Sequence, residues 1–393
     1  MYKVSTFADV KVLPFSTFYT NGRPIVGGPD WPDWEERTFE RHVRFGRPSD
    51  QRPVAEKVRL MDGNFAPPEV LDFGPAYWCG MIIGHFGHFI SEFAMRIVPS
   101  RTVDPRAKLV FVARMVNPPL WFWQIIDWCG VPREDVVIIR EPTILRSLSV
   151  VEQPEHIHGV APTSHHLDMM DRFVAGKGLT LRKDARPVFV SRAGLDHAKA
   201  KFAGESYLES CLEQAGFLVF RPETASILDQ LQLYVTSPFV TFSEGSALHL
   251  CQLAGRSFGR VGVLRRRDGK SHFAPSMEPR CREYVEVMAA RQMIMGTNEF
   301  GNPKVHAAMT IMDVDAVMDD LDGVRSGVRA CFGVTAFRRA EKSDVTAWVD
   351  ANTCQREQAN WQDNDRLIAQ TLTEAGFAGL AVEVRERAGV AGD

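Results

Sequence analysis

From residue 76 onward, short apolar runs of strand length alternate with segments of helical periodicity. Leu109 to Ala113 is a continuous apolar run, which predicts a strand buried on both faces. Pro118 to Cys129 predicts a helix, because a glycine and a proline follow it as stop signals. Val136 to Ile139 and Ser147 to Val151 are predicted strands. Strand, helix and strand at this spacing indicate a parallel sheet with right-handed crossovers.

The second half of the chain alternates more regularly. Thr163 or Ser164 is expected to cap a helix that ends at Gly176, and a domain boundary is predicted there. Predicted strands are Val188 to Val190, Phe217 to Phe220, Phe239 to Phe242 and, as the last strand, Val261 to Leu264. Predicted helices are Glu205 to Ala215, Ile227 to Val235 and Ala247 to Ala254.

The outer parts of the chain are less regular. The first seventy residues are rich in Pro, Gly and Trp, with one predicted strand at Val10 to Leu13. Beyond Arg265 the pattern weakens into helices and loops. We therefore predict an α/β protein with an N-terminal domain (1–175), a second α/β domain (176–268) and a mostly helical C-terminal extension (269–393).

Composition narrows the function classes. Apolar residues make up 45% and charged residues 24%, which is ordinary for a folded soluble protein. The net charge of -3 gives no electrostatic reason to expect nucleic acid as a partner. The N-terminus lacks a signal-peptide pattern. The seven cysteines are scattered and never spaced C-x-x-C, which indicates free thiols in a cytoplasmic protein.

The first candidate site lies around residues 84 to 92. Glycines at 84 and 87 would let the backbone approach a ligand closely. A helix from His88 would place Glu92 one turn along the same face. His88 could then take a proton from an attacking hydroxyl while Glu92 orients the ring. The alternative interpretation is a pair of core histidines, His85 and His88, packed beside aromatic rings.

The second candidate site follows the strand at Val188 to Val190. Ligands of open parallel sheets bind beyond the carboxyl ends of the strands, and Arg192 stands at such an end. Its guanidinium suits a diphosphate. Lys201 precedes a helix N-terminus, which also attracts anions. For Lys199 and Lys201, the alternative is a loop that is basic because it is exposed.

The third candidate site is a strand, a glycine turn and a helix. Ser243 or Ser246 could cap the helix, and Gly245 would let a phosphate or ribose rest against the backbone. Glu244 could accept hydrogen bonds from ribose hydroxyls. Plain capping with a solvated Glu244 is the alternative.

Taken in order, these stretches resemble glycosyltransferase family 61 over about residues 75 to 255. The matching positions are His88 and Glu92, Phe189-Val190-Ser191-Arg192, Lys201 with Gly204-Glu205, Gly216-Phe217, Pro222-Glu223, Gln230, and Glu244-Gly245-Ser246. Gly204 stands where the family usually has Asn, and Glu244 stands where it commonly has His. We interpret the chain as similar to the bacterial, capsule-type members.

The resemblance implies two Rossmann-like halves facing a cleft, a GT-B-like fold, and an inverting transfer without a metal or other cofactor. The donor would be a nucleoside-diphosphate sugar, and the acceptor a glycan or lipid-linked glycan of surface polysaccharide biosynthesis. His88 and Glu92 would be catalytic. The implied donor-binding residues are Arg192, Lys201, Glu205, Glu223, Gln230, Glu244, Gly245 and Ser246. No oligomeric state follows from the pattern.

Several alternatives remain open at this stage. Asp313-Val314-Asp315 has the letters of a metal-binding D-x-D, but Asp is also a good helix cap. A zinc hydrolase could use histidines of two clusters, which are His85, His88, His156, His158, His165 and His166. The run Arg265 to Arg267 could contact phosphate or a membrane surface, although a solvated strand end is the favoured interpretation. A non-catalytic nucleotide-sugar-binding protein is the remaining class.

Overall fold

The structure is a computed structural model that describes residues 2–13, 19–20, 23–24, 28–30, 69–113, 115–141, 143–155, 161–197, 199–269 and 271–389. Within these ranges it is a mixed α/β protein. The strands are β1 Val4–Leu13, β2 Tyr19–Thr20, β3 Arg23–Pro24, β4 Gly28–Asp30, β5 Glu69–Leu71, β6 Ala76–Ile82, β7 Lys108–Ala113, β8 Val136–Ile139, β9 Thr143–Val151, β10 Val188–Val190, β11 Lys201–Phe202, β12 Leu218–Phe220, β13 Phe239–Ser243, β14 Phe258–Arg265, β15 Cys281–Met288, β16 Ala290–Ile294 and β17 Met309–Met312.

The helices complete the description. The α-helices are α1 Phe86–Glu92, α2 Ile97–Val103, α3 Leu120–Trp128, α4 Ser164–Ala175, α5 Glu205–Gln214, α6 Ile227–Thr236, α7 Ala274–Met277, α8 Val314–Val324, α9 Val328–Cys331, α10 Val334–Asn352, α11 Trp361–Glu374 and α12 Ala378–Ala388. A 3₁₀ helix, Ser246–Leu253, follows β13 and is called the 246–253 helix below. No described helix combines the length and the apolar character that crossing a membrane requires.

The first sheet has the order β4-β1-β9-β6-β7-β8. The run from β9 through β6 and β7 to β8 is parallel, as the strand, helix, strand pattern predicted. β1 closes the other edge of β9 in the antiparallel direction. Its register joins Val4 to Val151 and Val12 to Thr143. α1 follows β6 directly and therefore begins at the carboxyl edge of this sheet.

The second sheet is all parallel and has the order β12-β10-β13-β14-β15. This is a doubly wound order whose direction of winding reverses between β10 and β13. Both faces of this sheet are buried, as the side chains of β10 show. Val188 and Val190 belong to one hydrophobic cluster and Phe189 to another, because successive side chains point to opposite faces. Crevices at such a reversal are where ligands of open α/β sheets bind.

Most predicted elements are confirmed with small changes at their ends, including Thr163 as the N-cap of α4. One prediction is wrong. Val261 to Leu264 is not the last strand, because β15 to β17 follow; β15 is half-exposed at the sheet edge and lacks a continuous apolar run. The predicted helix Ala247 to Ala254 is present as the 3₁₀ helix Ser246–Leu253. The Pro- and Trp-rich segment lies mostly outside the described residues.

The first half of the chain (residues up to 175) and the second half (residues from 176 onward) share one hydrophobic core. A single buried cluster contains residues of the first sheet together with one face of the second sheet. Polar contacts cross the same boundary: Trp128 Nε1 donates to the carbonyl of Leu253 at 3.1 Å, and the amide of Ile227 donates to Gln124 Oε1 at 3.2 Å. The halves are therefore packed against each other over a broad area. All seven cysteines are free thiols.

A buried ion pair also joins the halves. Glu155 follows β9, Arg280 precedes β15, and both side chains are fully buried. Arg280 Nη1 donates to Glu155 Oε2 at 3.0 Å, and Arg280 Nη2 donates to Glu155 Oε1. Burial opposes ionisation, but Arg280 and His166 hold the pKa of Glu155 below its ordinary value. Breaking such a pair by removing one partner leaves an uncompensated buried charge.

We expect Glu155→Gln to lower the free energy of unfolding by about 3–5 kcal/mol at pH 7. In the wild type this contribution is present above the ordinary carboxyl pKa, and it is lost as the pH falls through the lowered value in the folded state. Denaturant unfolding at several pH values measures both effects. The control is Asp363→Asn, which breaks an exposed pair with Arg366 and should change stability by less than about 1 kcal/mol. Equal stability of Glu155→Gln and wild type would contradict the structural role.

Candidate active site

α1 carries a histidine and a carboxylate as a hydrogen-bonded pair. His88 Nδ1 lies 2.5 Å from Glu92 Oε1, four residues further along the helix. Glu92 is buried, whereas 38% of the His88 side chain is exposed. Because the carboxylate accepts from Nδ1, the lone pair is left on Nε2. The predicted pairing of these two residues is thus present, and the ring has the orientation that a general base needs.

Gly87 brings α1 into direct contact with the second half of the chain. A Cβ on this residue would lie 2.9 Å from His249 Cδ2, closer than real Cβ contacts, and 3.0 Å from Ser246 Cβ, tighter than most of them. Only glycine lets α1 pack on the 246–253 helix at this separation. His88 therefore lies beside the turn that follows β13.

His249 is a buried histidine to which sequence reasoning assigned no role. Its Nδ1 lies 2.9 Å from Gln252 Oε1, and Gln252 Nε2 donates to Glu155 at 3.1 Å. Since the amide points its nitrogen at the carboxylate, the oxygen faces the imidazole and Nδ1 carries the proton. Burial lowers the pKa of His249 to about 4, with the charges of His88 and His85 acting in the same direction. His249 is therefore neutral beside the pair on α1.

Arg192 lies at the carboxyl end of β10, where the second sheet reverses its winding. Nε and Nη2 both donate to the carbonyl of Ala200, at 3.0 and 2.8 Å. A Cβ on Gly245 would overlap Nη1, so the guanidinium rests on the backbone after β13. Burial lowers its pKa from the usual value. No carboxylate among the described residues forms an ion pair with it, which leaves this charge available to a ligand.

Two predicted donor ligands hold the Arg192 loop in place. Glu205 is buried and accepts from the Arg192 amide at 2.9 Å and from Ser191 Oγ at 3.2 Å. Burial raises the pKa of Glu205. Lys201 is also buried, and its Nζ donates to the carbonyl of Leu195 at 3.0 Å. Both side chains thus act within the protein and shape the loop that presents Arg192.

The same loop approaches the histidines of α1. Lys199 is exposed, and its charge, after burial and the charge of His88, helps to lower the pKa of His85. The cation and the imidazoles come from different halves of the chain. Residues of the two halves are therefore close enough here to interact electrostatically.

The turn after β12 carries another predicted pair. Gln230 is buried, and its Nε2 donates to the carbonyls of Pro222 and Ala225 at 2.9 and 3.2 Å. Glu223, on that turn, is exposed, and a Cβ on Gly194 would overlap its carboxylate. Gln230 is thus a support for the turn, whereas Glu223 lies beside the Arg192 loop.

Residues 86–257 match Glycosyltransferase 61. The match runs from α1 through the 246–253 helix and contains His88, Arg192 and Gly245. The matched part of the chain, which is less than half of its length, is therefore similar to glycosyltransferase family 61. No curated protein matches the chain.

Glu244, which lies in the matched region, has partners within the protein. Its buried carboxylate accepts from the amide of Arg266 at 2.6 Å and from the guanidinium of Arg267. Burial opposes ionisation, but these two arginines hold the pKa of Glu244 below its ordinary value. The favoured interpretation of the Arg265 to Arg267 run as a solvated strand end is wrong for Arg266, which is only 4% exposed.

Several residues of the rival metal motifs have other partners. Asp313 caps α8 by accepting from the amide of Ala316 at 3.2 Å, as the capping interpretation predicted. His166 bonds to the hydroxyl of Tyr2 at 2.8 Å, and His165 packs edge-on against the same ring. His156 and His158 lie outside the described residues. Within the described part of the chain, no three His, Cys, Asp or Glu side chains are grouped to hold a metal.

We expect Gly87→Ala to lower the free energy of unfolding by about 1–3 kcal/mol, because the new methyl group overpacks the contact with His249. Helix propensity alone would favour alanine here by about 0.5–1 kcal/mol. Gly84→Ala is the matched control, since its Cβ would lie 3.4 Å from Met115 Cε, an ordinary contact. Denaturant unfolding of both variants makes the comparison. A Gly87→Ala protein at least as stable as Gly84→Ala would refute the close contact.

Proposed function

We propose that the protein is an inverting glycosyltransferase that moves a sugar from a nucleoside-diphosphate sugar to a hydroxyl of a glycan or glycolipid, without a metal ion. In this proposal the two α/β halves are Rossmann-like domains in a GT-B-like arrangement, and the product belongs to surface polysaccharide biosynthesis in the cytoplasm. The observation that carries the proposal is the position of Arg192. Its guanidinium forms no ion pair with a carboxylate among the described residues and rests on Gly245 at the winding reversal of a parallel sheet.

The donor diphosphate is assigned to the crevice between β10 and β13. A guanidinium offers two parallel N–H groups to phosphate oxygens, and the glycine backbone allows close approach. Glu205 and Lys201 keep the loop in the required shape. Glu223, exposed beside this loop, is assigned to hydroxyl groups of the donor. The leaving diphosphate thus finds its countercharge in Arg192.

His88 is assigned as the general base. The acceptor hydroxyl attacks the anomeric carbon of the donor sugar, and its proton moves to His88 Nε2. At the same time the bond from that carbon to the diphosphate oxygen breaks, and the electron pair leaves with the diphosphate. Attack from the side opposite the leaving group inverts the anomeric centre. Glu92 stabilises the imidazolium that forms, because it is bonded to Nδ1.

Nucleoside diphosphates test the donor site directly. A ligand at a hundred times its dissociation constant should stabilise the fold by about 2.7 kcal/mol, with or without EDTA. We expect Arg192→Met to bind the responding nucleotide about 10- to 100-fold more weakly, because a charge-assisted hydrogen bond is lost. Arg182→Met is the control, since Arg182 is exposed and lies near the carboxylate of Asp184. Thermal shift at graded nucleotide concentrations is the measurement. Stabilisation that vanishes with EDTA would contradict the metal-free proposal.

His88→Ala should reduce kcat by about 10²- to 10⁴-fold, the usual contribution of a general base. Nucleotide affinity should stay within twofold of wild type, because His88 contacts the acceptor side. His165→Ala is the control, since that ring packs against Tyr2 away from the site. Sugar transfer and nucleotide titration measure the two quantities. Transfer by His88→Ala at the wild-type rate would remove His88 from this role.

A non-catalytic nucleotide-sugar-binding function is the second candidate. It is favoured by Glu244, which stands where family 61 commonly has histidine and is held by Arg266 and Arg267. Nucleotide binding by the wild type without any transfer or hydrolysis would favour this second candidate.

A further inference from the structure

Arg266 is a buried arginine with unmet hydrogen-bonding capacity. It directly follows β14 and is 4% exposed. Nε donates to the carbonyl of Glu244 at 2.8 Å, whereas Nη1 is buried and has no partner among the described residues. A buried donor without an acceptor costs free energy, and more so when the group is charged. The Nη1 atom of Arg266 is therefore a candidate for binding a ligand.

The neighbouring arginines of the run differ from Arg266 in this respect. Arg267 binds the carboxylate of Glu244, and Arg265 lies 3.5 Å from a carboxylate oxygen of Glu286. Both are therefore neutralised by ordinary ion pairs. Arg266 binds the same glutamate only through its backbone amide and through the Glu244 carbonyl. Its guanidinium has no carboxylate ion pair among the described residues.

The electrostatic surroundings of Arg266 are those of an anion site. Burial lowers its pKa to about 9, and the charge of Arg192 is the next largest cause in the same direction. Two buried guanidiniums repel each other and so destabilise the folded state. An anion bound between them would remove this repulsion. Glu244 does not neutralise the Arg266 guanidinium, because its carboxylate accepts from the Arg266 amide and from the Arg267 guanidinium.

The sheet register places the two arginines at one edge. Val190 of β10 pairs with Phe242 of β13, and Ser243 of β13 pairs with Leu264 of β14. All three strands are parallel, so Arg192 and Arg266 each stand two residues beyond a paired position. Gly245 lies between them at the end of the middle strand.

We propose that Arg266 Nη1 is a second phosphate-binding group of the donor site and that it shares the diphosphate of a nucleoside-diphosphate sugar with Arg192. This inference rests on the proposed donor class. Arg192 binds one side of the diphosphate at the β10 end and Arg266 the other side at the β14 end, with the Gly245 backbone beneath. Two cations without a metal then carry the charge that develops as the sugar departs.

Inorganic pyrophosphate and inorganic phosphate are the probes, with Arg266→Met as the variant and Arg265→Met as the matched control on the adjacent position. We expect Arg266→Met to bind pyrophosphate about 10- to 100-fold more weakly than wild type, and Arg265→Met to bind it normally. Without ligand, Arg266→Met should be as stable as wild type or more stable, because a buried unpaired charge is gone. Thermal shift titrations give both values.

Wild-type pyrophosphate affinity in Arg266→Met, especially together with a loss of stability without ligand, would show a purely structural arginine and overturn the inference. If Arg266→Met does not fold, Arg266→Lys is used; it should bind pyrophosphate less tightly than wild type, and equal binding would overturn the inference. Absence of pyrophosphate binding by the wild type would also overturn it. Arg266-dependent pyrophosphate binding without any response to nucleoside diphosphates would instead reject the proposed donor and leave the anion site standing.

Discussion

The close contact of α1 with the 246–253 helix is the constraint on which the site depends. Gly87 permits it, because any side chain there would overlap His249 and Ser246. Through this contact the helix that carries His88 and Glu92 packs against the segment that follows β13. The shared hydrophobic core and the buried Glu155–Arg280 pair hold the two halves at this separation. The site is thus a property of the packed halves and of neither half alone.

Charge in the site is divided between groups that support the fold and groups that face the crevice. The fold is supported by side chains that hydrogen-bond to backbone groups of the loops around Arg192, which are Glu205, Lys201 and Gln230. Glu244 is bound by the two arginines that follow β14. Arg192 and Arg266 are partly desolvated cations at the ends of parallel strands and form no ion pair with a carboxylate among the described residues. The ring of His88 is oriented by Glu92. That distribution suits a reaction in which a proton leaves on one side and a diphosphate on the other.

Local patterns in the sequence were sufficient for much of this arrangement. Helical spacing predicted that His88 and Glu92 would pair, and the apolar run before Arg192 predicted its place at a strand end. Strand β15 was missed, because an edge strand with one exposed face has no continuous apolar run. The partners of Glu244 and the network behind His249 were not predictable, since they join residues more than twenty and nearly a hundred positions apart. The close approach at Gly87 likewise depends on tertiary packing.

A crystal structure of the protein with a bound nucleoside diphosphate tests the central claim most directly. We expect phosphate oxygens within hydrogen-bonding distance of the Arg192 guanidinium, over the backbone of Gly245, with His88 Nε2 facing the same crevice. A nucleotide bound at another edge of either sheet, with Arg192 untouched, would contradict it.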